Sequence, residues 1–121
     1  GVSVEPFYLD QESEPDDSHY VWGYQIQIEN YGRETVTLER RHWVITDGNG
    51  QTHEVEGEGV VGEQPILEPG QAFEYTSGAP LSTSSGFMVG SYKMKLSDGS
   101  YFDVEIPAFL LDIPSNSRQL H

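Results

Sequence analysis

Apolar residues recur at every second position over several stretches of the chain, and no run of twelve or more sustains the three- and four-residue spacing of an amphipathic helix. The pattern predicts an all-β protein. Over residues 21–30, Trp22, Tyr24, Ile26 and Ile28 fall on one face and Gly23, Gln25, Gln27 and Glu29 on the other, as a strand with one buried side requires. Residues 2–9 predict a strand before it, joined through an acidic loop over 10–18, and Asn30-Tyr31-Gly32-Arg33 supplies turn chemistry after it. The next strand starts at Thr35 with Val36 and Leu38 on one side. Its phase then slips at Arg40-Arg41-His42, and the apolar set becomes Trp43, Val44 and Ile45. A β-bulge or burial on both faces accounts for such a slip.

Asp47-Gly48-Asn49-Gly50 predicts a hairpin closed by a primed turn, followed by a short strand over 51–56. Residues 57–70 carry four glycines and two prolines and predict a long ordered loop. A strand over 71–76 ends where 77–86 breaks the alternation. Met88, Tyr92, Met94 and Leu96 then share a face with Gly90 between them, and Phe102, Val104 and Ile106 close the set after the Ser97-Asp98-Gly99-Ser100 turn. Pro107 and Pro114 bracket a segment over 108–113 that predicts an edge, because proline cannot donate to a central ladder. Seven or eight short strands with no helix to cover a sheet predict a two-sheet sandwich over 1–113, with a loose tail over 114–121. Trp22 and Trp43 are expected as core anchors.

Composition narrows the function. A sequence of 121 residues that is 36% hydrophobic supports one core. Six Lys and Arg against twenty Asp and Glu give a net charge of −14, which repels nucleic acid and anionic membranes. The absence of an apolar run long enough to span a bilayer, and of a signal-peptide pattern at Gly1, leads to the expectation of a cytoplasmic protein. Zero cysteines remove disulfides, thiolate metal sites and cysteine nucleophiles. Edge strands leave the oligomeric state open.

Five ordered strings make the sequence familiar: Arg41-His42-Trp43 with Ile45-Thr46-Asp47; Gly57-Glu58-Gly59-Val60-Val61-Gly62-Glu63-Gln64-Pro65; Pro69-Gly70; Tyr75-Thr76-Ser77-Gly78; and Met88-Val89-Gly90-Ser91-Tyr92. Over nearly its whole length it resembles the ApaG family, whose domain also recurs in some F-box proteins. The resemblance implies an immunoglobulin-like, fibronectin type III-like β-sandwich. It also implies a link to cobalt and magnesium tolerance, and a pyrophosphate-binding role for Gly57, Gly59 and Gly62; it brings no agreed activity. By analogy with such sandwiches, Tyr92 is expected to form a tyrosine corner, its hydroxyl bonded back to main chain, with Met94 at a core position.

Each candidate chemistry has a competing structural explanation. Gly57, Gly59 and Gly62 spell the dinucleotide fingerprint, whose physics needs a helix opening within the motif. Gln64-Pro65 and Pro69-Gly70 follow instead, and Glu54, Glu56, Glu58 and Glu63 crowd the segment, so glycines that allow a tight backbone-defined loop are the simpler account. An anion nest near Arg40, Arg41 or His42 is the alternative, although strand alternation lets at most one of the two arginines face any ligand, and ion pairs with the surplus carboxylates compete for both. Glu12, Glu14, Asp16 and Asp17 lack EF-hand spacing, and His19, His42, His53 and His121 form no metal-ligating pair, so only weak association with divalent cations is expected. No catalytic motif is present, and no cofactor is called for. The sequence therefore reads as a noncatalytic binding module, not an enzyme, that recognises a protein partner or a small ligand, with a factor in cobalt and magnesium homeostasis and a pyrophosphate or nucleotide binder as the alternatives. Its expected surface comprises Val60, Val61, Gln64, Pro65, Arg40 and Arg41.

Overall fold

The computed structural model describes residues 1–114, so the expected tail lies almost entirely outside the described residues. Among the described residues eight strands form two sheets, and the only helical pieces are two short 3₁₀ turns in the acidic loop, Asp10–Glu12 and Pro15–Asp17. One sheet holds β1 (Val2–Tyr8), β2 (Tyr20–Glu29) and β6 (Ala72–Leu81) in the order β1-β2-β6. The other runs β4 (Thr52–Glu58), β3 (Val36–Asp47), β7 (Gly86–Leu96) and β8 (Tyr101–Leu111), with β5 (Ile66–Leu67) also paired to β3. All pairings are antiparallel.

Alternation does the work expected of it. Trp22, Tyr24, Ile26 and Ile28 are buried from the first sheet and meet Val36, Leu38, Trp43, Met88, Tyr92 and Met94 from the second. Trp43 packs edge-on to Tyr24 at 5.5 Å and perpendicular to Phe109 at 5.9 Å, and the Trp22 indole donates to the Asp112 carbonyl at 2.9 Å. Offset and edge-to-face rings of this kind add to the area they bury. Buried Asn30 ties the β2–β3 turn down: its amide donates to the Glu34 and Leu67 carbonyls and its oxygen accepts the Gly32 amide.

The phase slip in β3 is a bulge. Its register against β7 shifts between Leu38 and Arg40, leaving Glu39 unmatched, so even-numbered residues face the core before it and odd-numbered ones after. A second bulge lies in β8, where the register jumps from Met88↔Phe109 to Gly90↔Ile106. Pro107 and Ala108 sit in that gap, on an edge strand where a missing N–H costs nothing. The strand thus runs through the proline that was expected to bound it.

Three further expectations need correction. β6 continues to Leu81 because Tyr75, Ala79 and Leu81 keep the buried face, while Gly78 and Pro80 fall on the exposed side of an edge strand. The 57–70 segment is not one loop: Gly57 and Glu58 finish β4, and Ile66–Leu67 pair with β3. The turn after Asp47 is not primed. Gly50 alone is left-handed at φ 82°, and bonds Gly50 N–H to Asp47 C=O and Asp47 N–H to Gln51 C=O close a three-residue loop. The β7–β8 hairpin repeats this design around Gly99.

Candidate functional site

The edge beside β3 is discontinuous. β4 covers Arg40 to Thr46 and β5 covers Val36 and Thr37, and between them the backbone leaves the sheet over residues 59–65 opposite the Glu39 bulge. The excursion is fastened to that bulge. The Glu39 carbonyl accepts from the Gly59 amide at 2.7 Å and from the Gln64 side chain at 3.1 Å, and the Leu38 amide donates to the Pro65 carbonyl at 3.0 Å. Val60 is fully buried and plugs the core, which removes it from the expected interaction surface: alternation inside a loop is not readable from sequence.

Val60 and Glu63 exchange two backbone bonds, at 2.8 and 2.9 Å, around Val61 at φ 44° and Gly62 at φ 80°. Two successive positive φ angles make this a primed two-residue turn. Glycine suits the second position. Valine does not suit the first, since a β-branched residue in the left-handed region is strained. Gly59 is also left-handed, and a Cβ there would lie 2.0 Å from the Glu63 carbonyl oxygen. Gly57 is an ordinary strand residue whose bare Cα leaves room for the Arg41 guanidinium. No helix follows Gly62, and each glycine of the fingerprint has a local backbone or packing requirement.

Arg40 and Arg41 point to opposite faces. Arg41, on the inner side after the bulge, is half-buried and donates from Nη1 to the Glu58 and Gly59 carbonyls at 3.1 and 3.0 Å. Among the described residues neither arginine makes an ion pair, so the expected pairing with surplus carboxylates is not what positions them. Arg40 stands on the outer face with His42, Lys93 and Lys95, flanked by Glu54, Glu56 and Glu58 of β4 and by Asp103 and Glu105 of β8. The closest contacts in this lattice of charges are His42 Nε2 to Glu54 and Glu56, both at 3.7 Å.

The Arg41 guanidinium faces a cleft of about 180 Å³ on the seam between the two sheets, lined also by Tyr24, Trp43, Val61, Gly62, Tyr75 and Ser77. Tyr92 makes no corner. Its hydroxyl bonds across the core to the Tyr75 hydroxyl, because β6 and not its own main chain lies opposite. Burial pushes the Tyr75 hydroxyl up to about 12; it drives Tyr92 up further, helped by the neighbouring Tyr75. Tyr24 is raised by burial, partly offset by a hydrogen bond from Ser77 and by the Arg41 charge. The tyrosine hydroxyls of the cleft therefore stay neutral donors at physiological pH. Tyr24, Tyr75 and Ser77 carried no signal in the sequence as site residues, since their convergence depends on the sheet-to-sheet packing.

Elsewhere, a hollow of about 580 Å³ opens at the end of the sandwich between Ile28, Val36, Leu67, Met94, Leu96 and Phe102. Its walls are mainly apolar; Glu29, Asn30, Arg33 and Glu34 complete the lining, and the Asn30 amide is already spent on backbone carbonyls. No group of three or more His, Asp or Glu side chains among the described residues is arranged to hold a metal ion, and none of their helices is long and apolar enough to cross a membrane.

Comparison with known proteins fits this architecture. The model of the ApaG domain matches residues 10–96. The chain is 60% identical over 120 residues to Protein ApaG of Brucella anthropi, spanning 99% of this chain and 92% of that one. It is 59% identical to Protein ApaG of Paramagnetospirillum magneticum over the same shares. A crystal structure of the ApaA protein from Bordetella pertussis superposes with a TM-score of 0.91 at 46% identity, covering 94% of this chain and 93% of that chain.

Proposed function

The chain belongs to the ApaG family, a membership that brings a fold and no reaction, and we propose that it acts as a noncatalytic binding module presenting the 59–65 excursion and the adjoining Arg41 cleft to a protein partner. The observation that carries this reading is Val61. It sits at the tip of the turn, 53% exposed, in a left-handed conformation that costs about 1–3 kcal/mol for a β-branched side chain. Local strain of that size persists only where the surroundings over-determine it, and here they do: buried Val60 anchors one side and the Glu39 carbonyl holds both flanks. The result is a rigid apolar tip, with Ile66 64% exposed where the chain re-enters the sheet as β5, and Gln64 and Pro65 just before it. Rigid exposed anchors lower the ordering cost of association. The net charge of −14 favours a partner whose contacting surface is basic or neutral.

Affinity co-purification tests the reading with Val61→Glu plus Ile66→Glu, both exposed positions whose change leaves the core intact. Partner recovered with the parent protein should fall at least about tenfold with the double variant, which circular dichroism should show folded. Equal recovery would remove this surface from consideration.

A further inference from the structure

Resting on the reading that this surface binds, we propose that the Arg41 cleft is a carboxylate-recognition site, taking a single carboxylate group carried by a peptide. Arg41 is an inward-facing cation without a carboxylate partner among the described residues, in a protein with twenty acidic residues. Nη1 is committed to two backbone carbonyls, which fixes the guanidinium plane over Gly57 and leaves Nη2 and Nε as donors. A guanidinium held in one plane presents parallel N–H groups to a planar two-oxygen anion.

The rest of the lining supplies neutral donors. The Tyr75 hydroxyl shares a hydrogen bond with the Tyr92 hydroxyl that either group can donate, and a ligand oxygen in the cleft would select the arrangement in which Tyr92 donates and the Tyr75 hydrogen turns outward. The amides of Val61 and Gly62 make no hydrogen bond to other described residues, because the turn is closed by Val60 and Glu63 alone. Tyr24 and Trp43 wall the site with aromatic surface that excludes water and strengthens the charge-assisted bonds. One fixed cation with neutral donors matches a monoanion. A phosphate group, carrying nearly two charges at neutral pH, would leave charge unneutralised beside Glu58 and Glu63 in a strongly acidic protein. The carboxylate has two sources, the free C-terminus of a peptide or an Asp or Glu side chain within one.

Titration followed by NMR at the Arg41 Nε–H and the Val61 and Gly62 amides decides the matter. The probes are N-acetylglycine, its amide, inorganic phosphate, a short neutral peptide with a free C-terminus, and the same peptide amidated with one internal Asp. We expect saturable shifts at those three groups with N-acetylglycine and none with its amide, and binding weakened at least tenfold in Arg41→Lys and several-fold in Tyr75→Phe. Response to either peptide supports the site, and which one responds identifies the source. Equal shifts with the amide, tighter binding of phosphate, or unchanged affinity in folded Arg41→Lys would overturn the proposal. Loss of partner in the Val61 and Ile66 variant with no carboxylate response would overturn this site while leaving the binding surface standing.

Discussion

Arg41 and Gly57 face each other across β3 and β4, and the glycine is the floor on which the guanidinium lies: a Cβ at Gly57 would sit 2.8 Å from Nη1 and 2.9 Å from Nη2. The atom in the way is the end of a flexible side chain, so Gly57→Ala should move the arginine without unfolding the domain. We expect a loss of about 1 kcal/mol, comparable to mild overpacking and one displaced charge-assisted bond, in urea titration. The Arg41 Nε–H resonance should shift, and an unperturbed resonance would show that the glycine is not what makes room.

The other two glycines of the fingerprint should separate sharply. Gly59→Ala drives a methyl group to 2.0 Å from the Glu63 carbonyl oxygen and should cost about 3 kcal/mol or more. Gly62→Ala meets no atom within 4 Å and should cost only about 1–2 kcal/mol, for its left-handed backbone. Chemical denaturation of the two variants measures the difference. Equal losses would contradict a backbone role set by local crowding.

Relief of strain at the turn tip should be visible as added stability. Val61→Gly or Val61→Asn removes the β-branched side chain from φ 44° and should gain about 1 kcal/mol, read as a raised denaturation midpoint with unchanged m-value. The same substitutions should weaken partner recovery, a trade between stability and function found at strained binding residues. A destabilised Val61→Gly would mean that the valine is not strained.

Alkali should unfold the domain through its tyrosine pair. Tyr75 and Tyr92 are neutral in the fold, with Tyr75 pushed to about 12 and Tyr92 raised further, whereas unfolded tyrosines titrate near 10. Their contribution is fully present below about pH 10, and is lost as the pH rises through the Tyr75 value, because the unfolded state releases protons that the folded state keeps. Denaturant midpoints measured from pH 9 to 12 should fall steadily. Tyr75→Phe should make the fall shallower, and an identical slope would assign the titration to other groups.

Much of this fold is written locally. The alternation of Trp22, Tyr24, Ile26 and Ile28 reports one buried face directly, and the broken alternation at Arg40 reports the Glu39 bulge, because a one-residue insertion must swap the faces of everything after it. What was illegible depends on neighbours distant in sequence. Pro80 and Pro107 look like strand breakers until their strands prove to be sheet edges. Val60 looks like loop surface until the seam it plugs is assembled from β3 and β6. Tyr92 resembles a corner tyrosine, yet its hydroxyl finds Tyr75 because the opposing sheet brings a second hydroxyl within reach. The cleft was half legible: Arg41 and the glycine string stood out by composition, while Tyr24, Tyr75 and Ser77 join them only through packing.

Site-specific photo-crosslinking tests the central claim most directly. A photoreactive residue placed at Val61 is compared with one at Gln25, an exposed position on the outer face of β2 in the other sheet. The account predicts a discrete adduct from Val61 that is absent from Gln25 and is lost on adding Ile66→Glu. Indistinguishable adducts from both positions, or none from Val61, would contradict it.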